Sequence, residues 1–270
     1  MAMIALHSAA TGLSSLSTAL DVTANNLANA STDGFKSSRT NFEDLMYMQL
    51  RQPGLENAAG DRPPTGVYVG IGTAIAGTQI DFAQGGPKDT GRQLDVMIQG
   101  PGFFMVETGT DTGDGVAFTR TGSFAVNADG DLVMANGTGQ RLVPGISFDA
   151  GVPESAITIH PDGRVEWTDM DGSVHSAGEL ELATFTNPTG LQPIGENLYV
   201  QSESSGDYIQ GEPGEEYLGM LQQRYLEQSN VDPVKELVDL ILIQRSFEMN
   251  SKSLQAADDT LKVMTNLRSF

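Results

Sequence analysis

"TANNLANASTDGFK", residues 23–36, is where a long helical pattern stops. Three asparagines, Asn25, Asn26 and Asn29, crowd its end. Asn is a poor helix former because its side chain competes for backbone hydrogen bonds. It is well suited to capping a helix and to reaching backbone groups in a following turn. Asp33-Gly34 is such a turn, with Gly34 as a helix stop and Phe35 just beyond it.

Upstream of this stretch, Leu6, Ala9, Leu13, Leu16, Leu20, Thr23 and Leu27 step by three and four. Leu6, Leu13, Leu20 and Leu27 recur every seven residues. The pattern predicts a helix over 3–29, roughly 40 Å long, that packs on other helices. The far end of the chain repeats the pattern. Asp232-Pro233 reads as an N-cap followed by Pro at the first helical position. Leu240, Ile243, Phe247, Asn250, Leu254, Ala257, Leu261 and Met264 then predict a helix over 233–267, roughly 50 Å long. Asn250 is polar within that stripe. It either fixes register at a core position or lies wet at the stripe's edge.

Between the ends, Gly and β-branched residues dominate. "FAVNADGDLVM" (124–134), "AITIHPDGRVEW" (156–167) and "DMDGSV" (169–174) each place an Asp-Gly pair among alternating residues, a hairpin signal. "GELELATF" (178–185) and "ENLYVQS" (196–202) add strands. Residues 81–228 are expected to form a mainly antiparallel β domain. Residues 51–80, rich in Gly and Pro, are expected to be extended, part linker and part strand. Residues 1–50 with 229–270 make a helical domain. The expected fold is α+β, with the two heptad helices paired as a coiled coil.

The 270 residues have a net charge of -20, 39% hydrophobic content and a mean hydropathy of -0.20. The ends are nearly neutral, whereas residues 51–228 carry 25 acids against eight bases. That balance argues against nucleic acid as a partner. No apolar run approaches the length of a transmembrane helix, so no membrane insertion is expected. The absence of cysteine excludes disulfides and thiolate chemistry. No secretory signal is visible at the N-terminus.

No catalytic, cofactor or metal site stands out. His7, His160 and His175 belong to no zinc motif. "GIGTAI" (70–75) lacks the third glycine of a dinucleotide fingerprint. "DMDGSVHSAGE" (169–179) is similar to an EF-hand loop but has Trp167 where an acid is required, so it reads as a hairpin turn. Acid pairs such as Asp129/Asp131 sit on turns.

The two ends also resemble a known family. "TANNLANASTDGFK" (23–36) and "SNVDPVKELVDLILIQRSFEMNSKSLQAADDTL" (229–261) resemble the N- and C-terminal signatures of the bacterial flagellar rod and hook proteins. The signature positions are Asn25, Asn26, Leu27, Asn29, Gly34, Phe35, Asn230, Val231, Gln244 and Arg245. "NFEDLMYMQLRQPG" (41–54), "DFAQGGPKDTGRQLDVMIQGPGFFMV" (81–106), "FTRTGSFAVNADGDLV" (118–133) and "LELATFTNPTGLQPIGENLY" (180–199) are most similar to the distal-rod branch. The match is weakest at 107–117, 137–145 and 201–217, which read as surface loops.

The resemblance implies a non-enzymatic subunit of a hollow helical tube, exported unfolded through the flagellar channel without a cleaved signal. Its terminal helices line the tube, and it transmits torque from motor to hook. The implied partners are further copies, other rod and hook proteins, the basal-body rings and the export apparatus. A proximal-rod or hook subunit is the alternative within the family. A secreted β-domain enzyme or carbohydrate binder is the alternative outside it.

On this reading the heptad leucines await neighbours. Each buried leucine contributes at most roughly 1.5–3 kcal/mol. Asn25, Asn26 and Asn29 then either cap the helix locally or hydrogen-bond to adjacent subunits. The acidic middle keeps the chain soluble or keeps the tube's outer surface from sticking.

Overall fold

A computed structural model of the chain describes residues 2–54, 64–109, 115–149, 151–169, 171–215 and 217–268, with side chains from Met3 to Val263. Asp111 and Asp114, in the weakly matching 107–117 segment, lie outside the described residues, as does the side chain of Met264.

Helix α1 spans Ala2–Ala28 and helix α2 spans Pro233–Arg268. The start of α2 follows from Asp232-Pro233. The Asp232 carboxylate accepts from the N–H groups of Val234 (3.0 Å) and Lys235 (3.3 Å). Pro233 has no N–H to leave unpaired.

The chain divides into two compact units. The first comprises Met1–Ala28, Ser38–Ile80 and Asp232–Phe270; the second comprises Asn29–Ser37 and Asp81–Val231.

In the first unit α1 and α2 lie against each other, and α1 also runs along a β-ribbon. The ribbon is built from β1 (Ser38–Asp44), β2 (Tyr47–Arg51), β3 (Val67–Gly70) and β4 (Thr73–Ile80). Antiparallel pairs β1–β4 and β2–β3 are joined through bonds from Leu45 N–H to the Gly72 carbonyl and from Ile71 N–H to that of Met46. Within residues 51–80, expected to be part linker and part strand, 67–70 and 73–80 are strands that pair with β2 and β1 respectively.

The buried line of α1 differs from its leucine stripe. Ala9, Gly12, Ser15, Ala19, Thr23 and Asn26 are buried, while Leu6, Leu13, Leu16, Leu20 and Leu27 are only half-buried. Small side chains allow the backbones to approach closely. A Cβ on Gly12 would lie 3.3 Å from the Asn250 amide nitrogen of α2, and a Cβ on Gly72 would overlap the Thr11 hydroxyl. The His7 ring lies 3.2 Å from the Ile71 carbonyl oxygen. Leucines on this line would hold the elements apart.

The second unit is antiparallel β. Its largest sheet runs, in spatial order, through 192–195, 198–200, 116–119, 103–107, 182–185 and 208–211. A three-stranded sheet joins Ile157–Ile159, Arg164–Thr168 and Val174–Glu179. The Asp-Gly pairs fall at the turns expected of them. Gly130, Gly163 and Gly172 take φ of +89°, +94° and +78°, a region that glycine enters without penalty. Leu94, Val96, Phe104, Phe124, Leu132 and Leu182 lie at the core.

Candidate functional site

Asn26 is 2% exposed, the most buried of the signature asparagines, and its contacts lie within its own unit. Its amide nitrogen donates to the Ser38 carbonyl oxygen (2.7 Å), and its carbonyl oxygen accepts from the Ser38 N–H (3.0 Å). The same nitrogen lies 3.3 Å from Glu236 Oε1 in the first turn of α2. One side chain therefore joins the end of α1, the start of β1 and the start of α2. Burial is the main cause that raises the Glu236 pKa. The Asn26 hydrogen bond opposes the rise, and Asp239 adds to it.

Asn29 caps its own turn, with its carbonyl and side-chain oxygens accepting from the Thr32 N–H and hydroxyl, both at 3.1 Å. Asn25 is exposed. The three asparagines thus do different work.

Asn230 does for the second unit what Asn26 does for the first. Its Oδ1 accepts from Ser37 N–H (2.7 Å), and its Nδ2 donates to the Asp81 carbonyl oxygen (2.8 Å). Val231, beside it, is buried. Gly34 is buried at φ +76°, and a Cβ there would meet the Thr121 backbone at 3.0 Å. Phe35 is half-buried.

Beneath these residues lies an ion cluster that no sequence motif announces. Glu227 Oε1 accepts from Lys36 Nζ (2.6 Å) and Gly85 N–H (2.8 Å). Lys36 Nζ also donates to the Ala83 carbonyl oxygen. Arg120 Nη1 stands 3.5 Å from Glu227 Oε2. The side chains of Lys36 and Glu227 are wholly buried and that of Arg120 almost so. Burial lowers the pKa of both cations, and Glu227 opposes the shift. Lys36 and Glu227 are 191 residues apart, and no local pattern links them.

The helical stripe of α2 is only partly covered. Leu240, Ile243, Asn250, Leu254 and Leu261 are half-buried, Phe247 is 40% exposed, and Gln244 and Arg245 are exposed. Other apolar residues of the helix are more open: Val234, Leu237, Val238, Ile241, Leu242, Met249 and Val263 all face solvent. The β2–β3 ribbon is similar, with Met46, Tyr47, Met48, Leu50 and Tyr68 exposed. Apolar surface of this extent marks an interaction face. Among the described residues no three metal-ligating side chains come together.

Three family models match the chain in order. They are "Flagella basal body rod protein" over 6–36, "Flagellar hook protein FlgE/F/G D1 domain" over 97–167 and "Flagellar basal body rod FlgEFG protein C-terminal" over 222–267. The chain is 38% identical to the flagellar basal-body rod protein FlgG of Borreliella burgdorferi, over 98% of its own length and 99% of the relative's. It belongs to the flagellar basal-body rod family. The FlgG proteins of Caulobacter vibrioides (38%, over 99% and 100%) and Bacillus subtilis (34%, over 97% and 98%) are similar along the same span. In this rod-family chain, the first and third matched segments carry Asn26, Lys36, Glu227 and Asn230.

Proposed function

We propose that this protein is a structural subunit of the flagellar distal rod, polymerising into a hollow tube that carries torque from motor to hook and conducts exported subunits. The observation that carries this reading is the state of α2. Among its described residues no side chain is fully buried, although much of its first half is apolar on every face. A helix apolar all round is one made to be enclosed. Further copies can supply that enclosure, completing coiled-coil packing on Leu6, Leu13, Leu16, Leu20 and Leu27 of α1 and on Leu240, Ile243, Phe247 and Leu254 of α2. Other rod and hook proteins, the basal-body rings and the export apparatus are the remaining partners of this reading, and the periplasm-spanning rod is its location. The relatives' shared name supports it.

Sedimentation of the purified protein at rising concentration, with electron microscopy of the pellet, tests the proposal. Concentration-dependent growth into tubes is expected, and Leu237→Asp with Ile241→Asp should abolish it. A protein that stays monomeric throughout, or a variant that assembles like the wild type, would overturn it.

A further inference from the structure

The ion cluster in the second unit is unbalanced. Two buried cations, Lys36 and Arg120, share one buried carboxylate, Glu227, within a chain whose net charge is -20. Lys36 takes the better share, at 2.6 Å with good hydrogen-bond geometry. Arg120 is left with a 3.5 Å approach to Oε2, an oxygen that accepts no hydrogen bond, and its own Nε–H is buried without a partner. A buried guanidinium in this state is under-compensated, and stranded buried donors are costly.

Arg120 is also in the wall of a cavity of about 340 Å³, together with Phe82, Gly102, Phe103, Thr184 and Pro188. Gln84 lines it too, but both ends of its amide are engaged, by the Ile98 carbonyl and the Gly100 N–H. Arg120 lies over the Phe103 ring at 5.2 Å, with Nη1 held by the Gly100 carbonyl at 2.9 Å. The result is an apolar recess with one fixed cation, a form suited to a carboxylate on a short aliphatic stem.

We propose that this recess receives a glutamate or aspartate from the 203–215 stretch of a second copy of the chain. Charge complementarity selects that occupant. Between Arg164 and Arg224 the sequence contains no lysine or arginine, and Glu203, Asp207, Glu212 and Glu215 are all exposed. The incoming carboxylate supplies the counter-charge that Glu227 divides between two cations, and the recess walls exclude water from the pair. The inference rests on the reading of the chain as a self-assembling subunit and names one contact in that assembly.

The test is titration of the full-length monomer with a labelled peptide of residues 203–215, followed by fluorescence anisotropy. Saturable binding is expected. A peptide with its acids changed to Gln or Asn should bind about tenfold more weakly or worse, as loss of a charge-assisted hydrogen bond requires. Arg120→Lys should weaken binding to a similar degree. Because Arg120 also serves the buried cluster, Thr184→Tyr provides a second route: Thr184 lines the recess and takes no part in the Lys36–Glu227–Arg120 contacts, so the larger side chain should block the peptide while melting stays unchanged. Equal binding of acidic and neutral peptides, no binding at all, or binding indifferent to Thr184→Tyr would each overturn the proposal. The assay needs no polymer, so its failure is separable from a failure of tube formation in the sedimentation experiment.

Discussion

Asn26 and Ser38 hold each other through both ends of one amide, at 2.7 and 3.0 Å, as neighbouring strands would. The side chain substitutes for a backbone partner at the first residue of β1. Asn26→Ala therefore strands a half-buried N–H and carbonyl at Ser38. It should lower the stability of the first unit by about 1–3 kcal/mol. Chemical denaturation followed by far-ultraviolet circular dichroism, which reports the helices, measures this; near-ultraviolet signals from the Phe103 and Phe118 region of the second unit should not move.

The two sides of α1 should respond differently to substitution. Gly12→Leu places a side chain where even a Cβ lies 3.3 Å from Asn250. It should destabilise the monomer by about 1–3 kcal/mol through overpacking. Leu13→Ser removes a half-buried side chain and should affect monomer stability by about 1 kcal/mol or less. It should nevertheless raise the concentration needed for assembly. Equilibrium unfolding of each variant, paired with sedimentation, separates these outcomes.

Glu227→Gln should be among the most damaging single substitutions in the second unit. It leaves Lys36 and Arg120 buried without their shared counter-charge. Removing one partner of a buried ion pair costs about 3–5 kcal/mol. Lys36→Met and Arg120→Met with Glu227→Leu, which removes all three ions, should be less harmful than Glu227→Gln alone. Urea denaturation of the three proteins gives the ordering, and a triple variant weaker than the single one would refute it.

Glu236 sets a pH dependence in the first unit. Its pKa is raised in the fold, chiefly by burial. The protonated form is therefore favoured on folding: its stabilisation is complete below the ordinary carboxylate range and is lost as pH rises through the raised value. Glu236→Gln keeps an acceptor for Asn26 and carries no charge. Its helical melting midpoint should vary less with pH across the weakly acidic range and should not fall at pH 7. Glu236→Ala, which loses the acceptor, should melt lower than Glu236→Gln. Thermal melts between pH 4 and pH 8 test both expectations.

Both terminal helices are visible in the sequence because their apolar residues are periodic and Asp232-Pro233 marks where α2 begins. The hairpins at Gly130 and Gly163 are visible because turn chemistry is local. The leucine stripe of α1 reads correctly as apolar, but the most buried line is the small residues Ala9, Gly12, Ser15 and Ala19. Hydropathy ranks leucine higher, whereas close approach to β4 and α2 selects for size. Residues 29–37 read as the tail of the helical region. They cluster with the second unit because Lys36 reaches Glu227 and Gly34 bonds to the Glu227 carbonyl, pairings about 190 positions apart that no periodicity records. The role of Asn26 is hidden for the same reason, since its partner Ser38 looks unexceptional in the sequence.

The placement of α1 and α2 at opposite ends of the chain also sets a timetable. Contact between them closes a loop comprising residues 29–232, so α1 has no partner helix until that whole length has emerged from a ribosome or a narrow conduit. The second unit, made entirely of the intervening segment, can mature first. The helical part of the surface through which copies would recognise one another is thus completed late, which limits premature association of half-delivered chains.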